Sequence, residues 1–401
     1  MKKQLLLVWF IFFTPLSAVD DIRPVLLVIG TRPEAIKMIP LYQALKHAQV
    51  PVVLCSTGQH GHMLDDVLSL FEVHPDIALH IMKQGQDLFY LTTTILEKMK
   101  EMLVSVQPTL VVVQGDTTTA LASAMAAFYL KIPVAHVEAG LRSGNIYGPF
   151  PEEFNRKCIT TLATYHFAPT RTAYQQLIAE QVNLDACFYT GNTVVDALRI
   201  ILQKIHTGRL VPSHKLVSLV TQKKAAGYTI ILLTAHRRES FDGGLDRIFN
   251  ALKKITQQHP RLCIVYPVHP NPCIKEAIVR TQLDSVDNII LMPPIVYHDL
   301  LYVLDACDGV ATDSGGITEE AVSIRKPVIM LRNETDRPEG IEQGLVRLVG
   351  MDEQAIADGV IWMLTRDATG SGDGESPYGD GHACERIVNI IKEKIYQGEM
   401  V

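Results

Sequence analysis

The feature that most constrains this chain is a run of short apolar segments that do not alternate. "VLLVIG", "VPVVLC", "PTLVVVQGD", "IPVAHVEAG" and "YHFAPT" are rich in Val, Ile or Leu, and each ends near polar residues or glycine. Continuous apolarity means burial on both faces, and so a parallel sheet covered by helices. The Ala-rich segment "TTTALASAMAAFYLK" between two of these runs favours helix. A second series begins near Tyr228 with "YTIILLTAH", "RLCIVYPVHP", "NIILMP", "GVATDSGG" and "KPVIMLRN", spaced by stretches such as "GLDRIFNALKKITQQHP". The expected class is α/β, with two doubly wound Rossmann-like domains facing a cleft. Residues 23–192 plus 380–401 form the first domain and 193–379 the second. Residues 207–227, basic and without a strong apolar period, read as the connection. In such sheets ligands sit beyond the carboxyl ends of the strands, near helix N-termini.

Composition agrees. The chain has 401 residues, 47% hydrophobic and 20% charged, enough for a large core in two domains. A net charge of −6 argues against a nucleic-acid partner, which needs a basic face. The seven cysteines form no C-x-x-C pair and the 14 histidines no H-E-x-x-H, so spacing offers no metal site. Scattered cysteines fit free thiols in a reducing compartment. The first 22 residues disagree: two lysines, an apolar stretch from Leu5 to Phe13, then small residues, which is the layout of a signal peptide. That stretch is too short to span a bilayer, which takes about 20 residues. It reads as an export signal, a membrane-proximal anchor or a misassigned start.

The residues just past each strand carry the chemistry. The first half contributes Arg32 and Lys37 after "VLLVIG", Asp116 after "LVVVQ", then His136, Glu138 and Arg142, then Glu152 and Glu153 in "YGPFPEEFNRK". The second half contributes His236, Arg237, Arg238 and Glu239, then His269, Asp313, the "SGG" of Ser314, Gly315 and Gly316, then Glu319, Glu320, Arg337 and Glu339. Each has a plain structural alternative. Asp116 fits a helix N-cap, Glu319 a first-turn dipole partner, and His269 a rim residue. Their convergence favours a site, because gathered charges cost desolvation unless they are paired. "DSGG" before a helix suits phosphate, and Arg32, Lys37 and Arg337 complete a diphosphate clamp. Asp116, Glu138, Glu152 and His236 suit proton transfer and stabilisation of positive charge on a sugar ring. Together they point to a nucleotide sugar.

"GTRPEAIKMIPL", "QGDTTT", "HVEAGLRSG", "PEEFNR", "TGNTVVDAL", "TAHRRES", "YPVHPNP", "TDSGGITEEA", "RPEG" and "PYGDG" occur in this order. In this the chain resembles the bacterial non-hydrolysing UDP-N-acetylglucosamine 2-epimerases over residues 24–396. The resemblance implies the GT-B architecture of two-domain glycosyltransferases, with the last helix crossing back to the first domain. It also implies a homodimer, no cofactor, and reversible conversion of UDP-N-acetylglucosamine to UDP-N-acetylmannosamine. In that reaction UDP is eliminated to leave 2-acetamidoglucal and then adds back. A proton leaves one face of C2 and arrives at the other. The carried-over catalytic group is Asp116, Glu138, Glu152 and His236. The UDP contacts fall on Arg32, Lys37, Ser314, Gly315, Gly316, Glu320 and Arg337, with Glu320 suited to the ribose hydroxyls.

Two places depart from the family. Where an aromatic residue often flanks the uracil, this chain has Leu300, with Tyr297 three residues earlier. Some members bind a second, regulatory substrate through a "QHRQM"-like stretch; here it reads "QHGHM", from Gln59 to Met63, and the nearby arginine is Gly85. Allosteric activation is therefore not carried over. The runner-up activity is the hydrolysing epimerase, which releases N-acetylmannosamine and UDP. Because UDP-sugars are cytoplasmic metabolites, a cytoplasmic location is expected, with membrane contact only if the N-terminal apolar segment is retained.

Overall fold

A computed structural model describes residues 23–59, 62–237, 240–241, 243–366 and 376–396, without the side chains of residues 62 and 63. The signal-like segment and residues 367–375 of the Gly-rich loop lie outside the described residues. The non-alternating runs pair side by side as parallel strands. In the first half these are β1 (Val25–Ile29), β2 (Val52–Ser56), β3 (Ile77–Ala78), β4 (Leu110–Gln114), β5 (Val134–Val137), β6 (Tyr165–Ala168) and β7 (Cys187–Tyr189). They form a seven-stranded sheet in the order β3-β2-β1-β4-β5-β6-β7. The second half contains β8 (Thr229–Thr234), β9 (Leu262–Pro267), β10 (Ile289–Met292), β11 (Gly309–Thr312), β12 (Val328–Met330) and β13 (Val346–Leu348). Their order is β10-β9-β8-β11-β12-β13. Strand order reverses between β1 and β4 and again between β8 and β11, and a ligand crevice opens at such switch points.

The two expected doubly wound halves are both present. The three strands without a sequence signal, β3, β7 and β13, have only two or three residues each, too short to show as apolar runs.

The supposed connection over residues 207–227 is a correction. Most of it is the helix His214–Ala225, which buries Leu216 and Val220 and packs against β8 and the helix Tyr297–Ala306. One i,i+4 pair is too sparse a stripe for periodicity to reveal. Residues 207–213 link this helix to Thr193–His206.

Two helices join the halves. Thr193–His206 packs against the helix Arg32–His47 of the first half and against Tyr297–Ala306 and Gly315–Ser323 of the second. Its Val194, Leu198 and Ile201 make one continuous core from beneath β1 to beneath β11. Near the end of the chain, Ala383–Ile391 packs back against Arg32–His47 and Thr193–His206. The Asp196 carboxylate fastens its start, accepting from the N–H groups of Ala383 (3.2 Å) and Cys384 (2.9 Å). The Tyr396 hydroxyl donates to the Arg23 carbonyl at 3.2 Å, so the two ends of the described chain meet.

All seven cysteines are free thiols. Among the described residues no helix is long and apolar enough to cross a membrane.

Candidate active site

The carboxyl ends of both sheets face one cleft of about 880 Å³. Of the residues singled out from sequence, Arg32, Lys37, Asp116, Glu138, Glu152, His236, Ser314, Gly316, Glu320 and Arg337 all line it. Gly315 lies just beneath, against Arg337.

The turn after β1 is built by a capping box. Thr31 is the N-cap of Arg32–His47, and Glu34, three residues on, reaches back to the N-cap backbone. Pro33 sits in the first turn, where its missing N–H costs little. The single glycine is there for packing: a Cβ on Gly30 would overlap the hydroxyls of Thr57 and Thr119. One turn into the helix, the buried ammonium of Lys37 pairs with Glu138 and lies 3.5 Å from Glu319. Burial pulls its pKa down, but these two carboxylates outweigh that and hold it above the usual value.

Glu138 follows β5 with φ at +65°, a left-handed conformation uncommon for a residue with a side chain. Its carboxylate accepts from Lys37 and from Gln114 Nε2 at 2.8 Å, and Arg337 Nη2 stands 3.5 Å away. Burial pushes its carboxyl above the usual range, against the pull of Lys37.

Asp116 does not take the plain helix-cap role that its position also allowed. The N-cap of the helix Thr118–Tyr129 is Thr117, whose hydroxyl accepts from the N–H of Ala120 at 3.0 Å. The Asp116 carboxylate is instead held by Arg156, from Nε at 2.8 Å and Nη2 at 2.7 Å. The same guanidinium reaches across the cleft to Asp336 at 2.7 Å. Burial would raise Asp336, but Arg337 and Arg156 together hold it well below the carboxylate range. Glu152 begins the helix Glu152–Leu162, and burial, reinforced by Asp116, pushes its carboxyl up. Its neighbour Glu153 turns inward and ties down the N–H groups of Ser143 (3.0 Å) and Gly144 (3.4 Å).

In the second half, the buried Asp313 organises the turn after β8. One carboxylate oxygen accepts from the N–H of His236 (2.6 Å) and of Arg237 (2.7 Å). The other lies 3.3 Å from His236 Nδ1. His269 stacks on the His236 ring at 5.6 Å between centroids, so it backs a site residue. Burial, with the neighbouring His236, lowers the pKa of His269.

The helix Gly315–Ser323 points its N-terminus at the cleft, with no acidic residue in its first turn and no side-chain cap from Ser314. Glu319 therefore does not take the first-turn role that was its plain alternative. It lies deeper, 2.5 Å from Arg337 Nε and within reach of Lys37. Gly315 is needed because Arg337 presses on it: a Cβ would lie 2.8 Å from Nη1. A Cβ on Gly316 would meet nothing within 4 Å. Glu320 accepts from the Tyr297 hydroxyl at 2.6 Å, and burial pushes its carboxyl up to about 7. The Arg32 guanidinium lies 5.8 Å from the Tyr297 ring centre, and Leu300 lines the cleft beside them.

A sequence profile for the family described as UDP-N-acetylglucosamine 2-epimerase matches residues 43–392. The chain belongs to this family. It is 46% identical over 373 residues to a probable UDP-N-acetylglucosamine 2-epimerase of Ralstonia nicotianae, covering 92% of this chain and 99% of that protein. It is also 46% identical over 378 residues to the UDP-N-acetylglucosamine 2-epimerase of Escherichia coli K12, covering 92% and 98%. Among solved structures it superposes on the UDP-GlcNAc 2-epimerase of Neisseria meningitidis bound to UDP-GlcNAc. The TM-score is 0.83 at 39% identity, covering 92% of this chain and all of that one. The Methanocaldococcus jannaschii enzyme in complex with UDP-GlcNAc and UDP gives 0.78 at 31%, covering 92% and 99%. The expected α/β fold of GT-B type is the fold of this epimerase family.

Sequence reasoning passed over Arg156 and Asp336. Arg156 was visible as the residue four past Glu152 on one helix, a spacing that puts both on one face. Asp336 carried no signal beyond its place next to Arg337. Arg142, grouped with the strand-end residues, turns away to Glu180 at 2.7 Å and to Thr160. Arg238 and Glu239, and His60 and Gly61 of the "QHGHM" stretch, lie outside the described residues.

Proposed function

We propose that the chain interconverts UDP-N-acetylglucosamine and UDP-N-acetylmannosamine without releasing free sugar. The observation that carries this is the placement of Glu138. A buried carboxyl with a raised pKa sits between Lys37 and Arg337, in the same cleft as Asp116 and Glu152. The C2 proton of the substrate has no adjacent carbonyl to acidify it, so inversion needs UDP to leave first. Loss of UDP gives the ring oxocarbenium character, which nearby carboxylates stabilise. Elimination gives 2-acetamidoglucal, and re-addition with protonation from the other face gives the epimer. The base that takes the C2 proton and the acid that protonates the other face are two different groups, and a carboxyl held above its usual range suits the acid.

Asp116, Glu138 and Glu152 are the proton-handling and charge-stabilising groups, and His236 serves the departing diphosphate. Arg32, Lys37, Ser314, Gly315, Gly316 and Arg337 hold UDP, and Glu320 the ribose. The acids lie in residues 23–192 and the other nucleotide contacts in residues 193–379, with Arg32 and Lys37 reaching the diphosphate from the first half. Relatives solved with UDP-GlcNAc or UDP support the choice of ligand.

The enzyme works as a homodimer in the cytoplasm and supplies precursors for surface polysaccharide. Exposed Phe89 and Val104 on the helix Leu88–Val106, and Phe128 and Tyr129 on its neighbour Thr118–Tyr129, offer an apolar surface for the second copy.

The test is incubation with UDP-N-acetylglucosamine in deuterated water, followed by proton NMR. Deuterium at C2 and the manno epimer of the nucleotide sugar are expected. Accumulation of free N-acetylmannosamine would make the enzyme a hydrolysing epimerase, and no exchange at C2 would end the proposal.

A further inference from the structure

The turn between a first strand and its helix is where dinucleotide-binding folds seat a phosphate, on converging backbone N–H groups and the positive end of the helix. Here that seat is already taken. The N–H groups of Gly30 (3.0 Å) and Thr31 (2.7 Å) and the Thr31 hydroxyl (2.8 Å) all donate to one oxygen of Glu34. The other oxygen accepts from the Thr117 hydroxyl at 2.7 Å. Thr31 and Thr117 are the N-caps of the two first-half helices that follow β1 and β4. Each cap hydroxyl accepts from its own helix and turns its hydrogen toward Glu34. The carboxylate thus meets four donors, lies between two helix N-termini and is 1% exposed at the floor of the cleft. The N-terminus of Gly315–Ser323 in the opposite half has no such acid.

We infer that Glu34 is an internal anion occupying the phosphate seat of the first half, and that it thereby fixes which way a nucleotide sugar lies. With the first seat filled, the only vacant helix N-terminus among these three is at Gly315 and Gly316. The diphosphate goes there, and the sugar falls against Asp116, Glu138 and Glu152. The inference rests on the proposed function in taking the ligand to be a nucleotide sugar. Glu34 touches no reacting atom in this arrangement and is a specificity-determining, positioning residue.

Glu34→Ala removes the charge and opens the seat. At pH 8, with saturating UDP filling the second half, inorganic phosphate titrated by calorimetry is expected to bind the variant and not the natural protein. Turnover of the variant should fall about tenfold, the scale of a charge at paired helix N-termini, and added acetate should restore it. No phosphate binding by a variant with an unchanged circular dichroism spectrum would reduce Glu34 to a helix cap and overturn the inference.

If Glu34→Ala does not fold, Glu34→Ser decides. Its short hydroxyl keeps a polar group beside the Thr31 N–H while removing the charge and leaving the seat open. Phosphate should bind it in the same calorimetric titration, and no binding would refute the idea. Phosphate binding is measured without turnover, so it stands or falls separately from the deuterium experiment on the natural protein.

Discussion

Two strand-to-helix turns border the cleft from opposite sides, and they solve opposite problems. The turn after β1 has one glycine, needed for packing, and is filled by its own Glu34. The turn after β11 has two glycines, and its own acid, Asp313, turns away to the N–H groups of His236 and Arg237. One glycine gives Arg337 room to lie across it, and the other is open. One helix N-terminus is closed and the other accessible. A shared architecture therefore does not mean a shared ligand site in each half. The residue three positions into the helix decides which half receives an anion.

The largest effect should come from breaking the bridge between the two turns. Glu138 holds Lys37 from the first and stands beside Arg337 at the second. Glu138→Gln should lower kcat by about 10²- to 10⁴-fold, the usual loss for a general acid or base. UDP affinity should stay within a few-fold, as read by NMR turnover and calorimetry. Equal loss of both would make Glu138 a binding residue.

Closing the second turn comes next. Gly315→Val should push the Arg337 guanidinium off its seat and raise KM about 10- to 100-fold, the worth of a hydrogen bond to a charged group. If KM is unchanged, Arg337 does not serve the diphosphate.

A smaller effect is expected from titrating the first turn. Burial raises Glu34 from 4.5 to about 7, so the folded protein binds this proton more tightly than the unfolded chain. Its contribution to stability is present in full below pH 4.5 and is lost as pH rises through 7. Glu34→Gln should flatten the fall in urea midpoint between pH 5 and about 7.5, measured against the natural protein. Parallel profiles would mean the carboxyl titrates near its ordinary value.

The smallest effect should follow Thr117→Val, which removes one donor to Glu34 and the cap of Thr118–Tyr129. A loss of about 1 kcal/mol is expected by urea titration, the usual value of an N-cap. A loss near zero would show that Thr117 does not tie the turn after β4 to the turn after β1.

The sheets were legible because buried parallel strands announce themselves as unbroken apolar runs. The candidate residues were legible because the fold delivers strand ends to one side. What stayed hidden were pairings over long sequence distances. Thr31 and Glu34 make a T-x-x-E capping box readable within one turn, yet Thr117, which completes the arrangement, lies 83 residues away. Asp116 looked like a cap because acids often are, but the adjacent Thr117 takes that place and frees the carboxylate for Arg156. Arg156 and Asp336 are 180 residues apart and meet only because two sheets face each other. Local spacing cannot announce such a contact.

The helix Ala383–Ile391 has a consequence for how the molecule is made. It covers an apolar side of Arg32–His47, the first of the described helices, with Ile387, Val388 and Ile391 from the far end of the described chain. N-terminal units usually fold as they emerge, but this one cannot be finished before Ala383–Ile391 has been made. Its surface stays bare until residues 383–391 have emerged, so nascent chains stalled just short of residue 383 should be the species that chaperones capture.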